Sequence, residues 1–178
     1  MERFYKNKIV FLSTIICMLI ITSPAMGASF TQLYPCLKNL NGWKADPPTG
    51  ANVQLPDMHL VTATRSYQKG KQLITALIMI GPQALASWLP YAEGFQLDTP
   101  DESVSTKTVN NFPIQIIYDK KNHSGAILVE LSSQEDKDTK KAAAFHISFT
   151  SMKPEEALKI AEKFDWKEIQ KKVNDLLK

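Results

Sequence analysis

Asp57, His59 and Arg65 are the residues whose types and spacing come nearest to a chemical constellation. In an extended chain the side chains alternate between two faces, so Asp57 and His59 point the same way. A carboxylate beside an imidazole is an acid/base couple or a pair of metal ligands, and Arg65 follows as a third polar group. A hydrolase whose site is dispersed in sequence would start from these three. The plainer alternative is a polar junction between a loop and a strand, and the sequence favours it, because nothing completes the set. His59, His123 and His146 are the only histidines, and no two stand three or four residues apart as ligands on one helix turn would. Glu135-Asp136-x-Asp138 lacks the glycine and the regularly spaced oxygens of a calcium loop.

Other chemistries find even less. There is no Gly-x-Ser-x-Gly elbow, and His123-Ser124-Gly125 reads as the turn of a hairpin. The seven glycines are isolated, so no phosphate cradle forms. The sequence therefore implies no metal and no cofactor, and it leans away from catalysis. Trp88, Tyr91 and Phe95 are an aromatic group that could line a cavity between sheet and helices and take a small molecule or a lipid. Cys36, beside Leu33 and Leu37, is either a small buried apolar residue or a free thiol that pairs between molecules.

The first 28 residues are expected to be an export signal. Arg3, Lys6 and Lys8 make a cationic head, Ile9 to Ile21 an apolar run, and Ala25-Met26-Gly27-Ala28 a small-residue exit. The run is thirteen residues long, short of the roughly 20 that cross a bilayer core. Cleavage is expected after Gly27 or Ala28. No cysteine stands where a lipid anchor would need one, so residues 29–178 are expected as one domain without a stable membrane anchor, in the periplasm or outside the cell. The signal holds three of the 21 basic and one of the 18 acidic residues, which leaves 18 against 17. A surface so near neutrality has no electrostatic footprint for nucleic acid. Cys36 becomes the only cysteine, so no internal disulfide can close.

The elements that would position these groups read as α+β. Leu60 to Tyr67 and Gln72 to Ile80 are strands joined through Gly70. The second is apolar on both faces, as a central strand is. Gly81-Pro82 opens a helix carrying Leu85, Trp88 and Leu89. Residues 95–111 are polar and poorly periodic, with one edge strand around Ser103 to Val109. Phe112 to Tyr118 and Ala126 to Leu131 pair as a second hairpin. Phe145, Ile147 and Phe149 alternate as a half-buried strand. Two consecutive helices close the chain with a bend at Phe164-Asp165, where Asp165 and Glu168 form a capping box and Phe164 and Ile169 a hydrophobic staple. The lysines of these helices interleave with glutamates, as on a solvated face. The fold class is a single, mostly antiparallel sheet with helices packed on it.

Gly42-Trp43, Arg65-x-Tyr67-x-x-Gly70 and Phe164-Asp165-Trp166-x-x-Ile169, in this order of elements, resemble the PsbP-like fold. That resemblance implies an accessory or partner-binding role without catalysis, and no site residue carries over from it. The expected function is thus an exported accessory protein that binds a protein partner or an envelope component. The contacts are expected at the loops around Pro47-Pro48 and residues 95–111. A periplasmic binder of small molecules or lipids, and the dispersed hydrolase, are the alternatives.

Overall fold

The computed structural model describes residues 30–55, 58–86, 93–132 and 142–177. The expected export signal, Asp57, Trp88 and Tyr91 lie outside them. Among the described residues, nine strands form one antiparallel sheet: β1 (Lys44–Ala45), β2 (Thr49–Leu55), β3 (Met58–Lys69), β4 (Gln72–Ile80), β5 (Gln96–Asp98), β6 (Glu102–Val109), β7 (Phe112–Asp119), β8 (Ser124–Glu130) and β9 (Ala143–Thr150). A 3-10 helix (Phe30–Cys36) precedes them, α1 (Gln83–Ala86) follows β4, and α2 (Pro154–Ala161) and α3 (Trp166–Leu176) close the chain. The architecture is α+β, as the alternation of apolar residues implies.

The strand order is β1-β3-β4-β9-β8-β7-β6-β5, with β2 also pairing β3 on the β1 side. From β4 the chain leaves the middle of the sheet for its far edge. It then returns by hairpins through β5, β6, β7 and β8, and β9 inserts between β8 and β4. On β9, Phe145 lies between Ile78 and Val129, and Ile147 between Ala76 and Ile127. All six are buried, together with Ile74, Ile114 and Phe149. This face carries the helices: Leu33, Cys36, Leu37, Ala157, Ile160, Phe164, Trp166, Ile169 and Val173 complete the same core. Among the described residues, the opposite face is covered only in part. Val104, Leu128, Thr106 and Gln115 are buried there, and Ala84 of α1 packs with Ala142 and Ala144. Val53 and Leu73, at 40% and 44% exposure, are the large apolar residues most open to solvent among those described.

Two corrections to the expected elements follow. Residues 49–55 form an edge strand, although their sequence, Thr-Gly-Ala-Asn-Val-Gln-Leu, has little of the apolar periodicity that announces one. The strand expected at Ser103 to Val109 exists as β6 but is no edge, because β5 pairs outside it. Pairing with a neighbour supplies what propensity lacks in both places.

Pro47-Pro48 has a definite place in this pattern. The amide of Asp46 donates to the Ser66 carbonyl at 3.0 Å, and Thr49 pairs Thr64. Pro47 and Pro48 therefore stand together opposite the single residue Arg65, as a bulge in an edge strand whose halves are β1 and β2. An edge bulge tolerates prolines because no ladder donor is needed there. Gly125 meets a different constraint. It lies between Tyr118 and Phe149 across β7–β8–β9, and those rings stack above it with centroids 6.2 Å apart. A Cβ at Gly125 would stand 2.6 Å from the Phe149 ring.

The break between α2 and α3 forms as its sequence requires. The Asp165 carboxylate accepts from the Glu168 amide at 3.0 Å, satisfying one of the free donors of the α3 N-terminus. Phe164 and Ile169, the staple pair, are both buried. Replacing Asp165 by Ala is expected to lower unfolding free energy by about 1 kcal/mol, read by urea denaturation at neutral pH. A loss below about 0.3 kcal/mol would show that the cap is not what holds the break.

Candidate functional site

A groove of about 640 Å³ lies where the α2–α3 junction meets the β6–β7 turn. Each wall has a local cause. Asn110 and Asn111 both have positive φ, 52° and 67°, the two-residue turn that Asn tolerates and that a twisted hairpin needs. This turn forms one rim. Glu162 and Lys163 leave α2 through a tightened last turn, in which the Lys163 amide donates to the Ile160 carbonyl. Lys167 lies on the first turn of α3, and Lys38 follows the 3-10 helix; both are exposed. The floor is aromatic. Trp166 is buried, its indole donates to the Ala161 carbonyl at 2.9 Å, and its ring meets Phe112 edge-on at 5.8 Å. Three ammonium groups (Lys38, Lys163, Lys167) and two carboxylates (Glu162, Asp165) thus surround a buried aromatic base. Asp165 already caps α3, so the helix end itself is not open to an anion. No imidazole, hydroxyl or thiol lines this groove, and its chemistry is that of contact and charge pairing.

A smaller groove of about 440 Å³ adjoins the β7–β8 turn and is lined by Asn122, His123, Ser151, Met152, Lys153 and Glu156. Its shape derives from hydrogen bonding around the turn. Asp119 accepts from the amides of Lys121 and Asn122 and from the Asn122 side chain. Those bonds, from Asn122 first, hold its carboxyl below the usual range. The His123 carbonyl accepts from the Ser151 amide at 2.8 Å, and His123 Nδ1 lies 3.0 Å from the Tyr118 hydroxyl. His123 thereby joins the hairpin turn to the start of the helical segment.

The residues singled out in the sequence are not brought together. His59 and Arg65 share a face of β3 but stand six residues apart, roughly 20 Å along a strand. His59 Nε2 contacts Asn52 Oδ1 at 2.9 Å at the exposed edge. Arg65 is a fastener. Its Nε donates to the Asp46 carbonyl at 2.7 Å, one terminal nitrogen to the Leu37 carbonyl at 2.6 Å and the other to Asn39 Oδ1 at 2.7 Å. Tyr67, two residues on, donates to the Lys38 carbonyl at 3.0 Å. Burial pushes the Tyr67 phenol up to about 12, against the opposing influence of Arg65. Together they tie the segment from Leu37 to Asp46 onto the sheet. Of the aromatic group only Phe95 is described. It is half-buried before β5, and its backbone exchanges hydrogen bonds with Thr106. Cys36 is buried between the 3-10 helix and the sheet, and burial, then Glu168, pushes its thiol up, away from the reactive thiolate.

Sequence reasoning missed the main groove. Its one local signal was Asn110-Asn111 between two strand-forming runs, a hairpin turn pattern. Among the described residues, no group of three or more His, Cys, Asp or Glu could hold a metal, and no helix is long and apolar enough to cross a membrane. No family model, curated protein or solved structure matches the chain.

Two outcomes test this account. Arg65→Met is expected to cost about 2 kcal/mol in urea denaturation, because three acceptors lose a charged donor. Arg65→Lys should restore less than half of that, since an ammonium cannot span a fork of three. Equal stability of the Lys variant and the parent would overturn the fastener role. The second outcome concerns His146, which lies on β9 between Leu77 and Leu128 and whose imidazole burial pushes below its usual value. The unfolded chain then binds a proton that the fold resists, so this stabilisation is full above the unfolded pKa and is lost as pH falls through the folded one. The urea midpoint should therefore drop between about pH 7 and pH 5. The drop should be smaller in His146→Gln, and an identical pH profile would remove His146 as its source.

Proposed function

We propose that the chain is an exported accessory protein, without catalysis of its own, that binds a protein partner or an envelope component through the groove beside Asn110-Asn111. The observation that carries this reading is the groove's composition, a rigid Phe112–Trp166 floor with lysines and carboxylates at its rim. The rings are already buried in this chain's core, so the groove offers a partner its exposed lysines and carboxylates, which suit charge pairing across a contact. The export pattern of residues 1–28 and the motifs shared with the PsbP-like fold support the same role. The site thus moves from the loops expected in the sequence to the helix junction, with residues 110–111 common to both.

The test is positional. Photo-crosslinking residues placed singly at Asn111, Lys163 and Lys167 are expected to give one discrete adduct of common mass in envelope preparations. The same residue at Thr150 on β9 should give none. Absence of adducts at all three groove positions, or the same adduct at Thr150, would overturn the reading.

A further inference from the structure

We propose that Asn41-Gly42 is a self-modifying site, where the asparagine side chain closes onto the glycine amide and the chain converts to aspartate and isoaspartate. Asn41 is the only asparagine followed by glycine. The pair sits at the tip of a turn that the Trp43 amide closes by donating to the Leu40 carbonyl at 3.1 Å. Gly42 has φ 79°, the left-handed conformation that glycine takes without strain. Both residues are exposed, and a Cβ at Gly42 would meet nothing within 4 Å. Among the described residues, neither the Asn41 side chain nor the Gly42 amide has a hydrogen-bond partner.

Those features are what the reaction needs. The Gly42 nitrogen, after giving its proton to base, attacks Asn41 Cγ. The Cγ–Nδ2 bond breaks, ammonia leaves, and a succinimide ring remains. Water then opens the ring on one side to aspartate and on the other to isoaspartate, in which the chain runs through the former side chain. Water has replaced ammonia, an amide has become a carboxylate, and nothing is oxidised or reduced. The two groups are held in one chain, so their encounter is intramolecular. A free N–H leaves the nucleophile available, and an unbonded carboxamide can turn to meet it. The missing Cβ removes the crowding that slows ring closure beside a larger residue.

Every other asparagine precedes a residue with a side chain. Asn39, in the same segment, accepts from Arg65 through Oδ1 and is followed by Leu40. Asn122 donates its side-chain amide to Asp119 and is followed by His123. The place of Asn41 in the fold gives its conversion a consequence. On one side of the turn, Leu37, Lys38 and Asn39 are tied to Arg65 and Tyr67, and on the other Asp46 is tied to Arg65. Isoaspartate inserts one methylene into the backbone between these ties and adds a negative charge. The turn bond and the spacing of the fastened groups are then both upset, and the segment loosens from the sheet.

The experiment is timed incubation of the folded protein, purified after expression of the full chain, in neutral and in mildly alkaline buffer. Peptide mapping by mass spectrometry follows the loss of each side-chain amide, and an isoaspartyl methyltransferase serves as the probe for the isoaspartyl linkage. Conversion at Asn41 is expected to run at least about tenfold faster than at Asn39 or Asn122, a difference of little more than 1 kcal/mol in barrier. It should quicken as pH rises, because the attacking nitrogen must first lose its proton. Asn41→Gln should abolish methyl acceptance at this position, since its longer side chain would have to close a larger ring. Ageing should lower the urea midpoint of the parent and leave that of Asn41→Gln in place. If Asn41→Gln does not fold, the site-by-site rates and the urea midpoint of the parent decide alone. A parent that keeps its Asn41 amide overturns the proposal, as does one that converts Asn39 or Asn122 as fast. Full conversion at Asn41 with an unchanged urea midpoint would overturn the loosening of the segment. None of these readouts depends on the groove at the helix junction.

Discussion

The insertion of β9 between β4 and β8 is the constraint on which the rest of this molecule depends. Without it the chain is two antiparallel meanders, β1 to β4 and β5 to β8, that share no strand pairing. β9 pairs along its full length with β4 and nearly so with β8. Its Phe145, Ile147 and Phe149 are the middle rungs of the buried face. Pairing β9 with β4, across residues far apart in sequence, gives the fold a high contact order. The loop-closure entropy must be met before the central contacts can offset it. The helices follow from the same event, because α2 and α3 leave directly from the end of β9 and lie back over the face it completes. Phe164 packs against Phe145 of β9 and Tyr67 of β3, centroids 5.2 and 5.9 Å away, and so ties the helix break to β9 and to the first meander.

One face of the sheet is thereby filled, and the fastening of the N-terminal segment completes it. Arg65 and Tyr67 reach over the edge of β3 to three backbone carbonyls and one side-chain amide. This is a structural use of the residues that look most like chemistry in the sequence. A guanidinium suits it because its planar fork holds several acceptors at once. The bulge at Pro47-Pro48 serves the same contact, since it stands opposite Arg65 and lets Asp46 turn its carbonyl to the guanidinium. What remains for interaction lies at the periphery: the helix-junction groove, the hairpin turn at His123, and the exposed strand β2. These surfaces have contrasting chemistry. The groove is charged over aromatic rings, and β2 is uncharged backbone.

Much of this was legible in the sequence, and the exceptions share a cause. The β3–β4 and β7–β8 hairpins, the alternation in β9, and the capped break before α3 are written in patterns spanning fewer than about twenty residues. They appear in the structure where local chemistry puts them. β2 was missed because its residues have no periodicity of their own and become a strand by pairing with β3. β6 was read as an edge because β5, three residues long, carries no signal. Of the candidate site, only the Asn110-Asn111 turn had a local mark. Lys38 stands more than a hundred residues from Lys163 and Trp166, and only the tertiary fold brings them together.

The division is therefore between what a few neighbouring residues can decide and what they cannot. By itself the sequence determined the α+β class, the position of the helix break with its Asp165 cap, the near-neutral charge of residues 29–178 and the lone Cys36 within them. Each depends on side-chain type and short spacing alone. Only the tertiary structure decided that β9 lies between β4 and β8, that Arg65 holds a loop in place of a substrate, and that β2 stands uncharged at the edge. Those outcomes depend on which distant segments become neighbours, and burial and pairing set that choice once the whole core assembles.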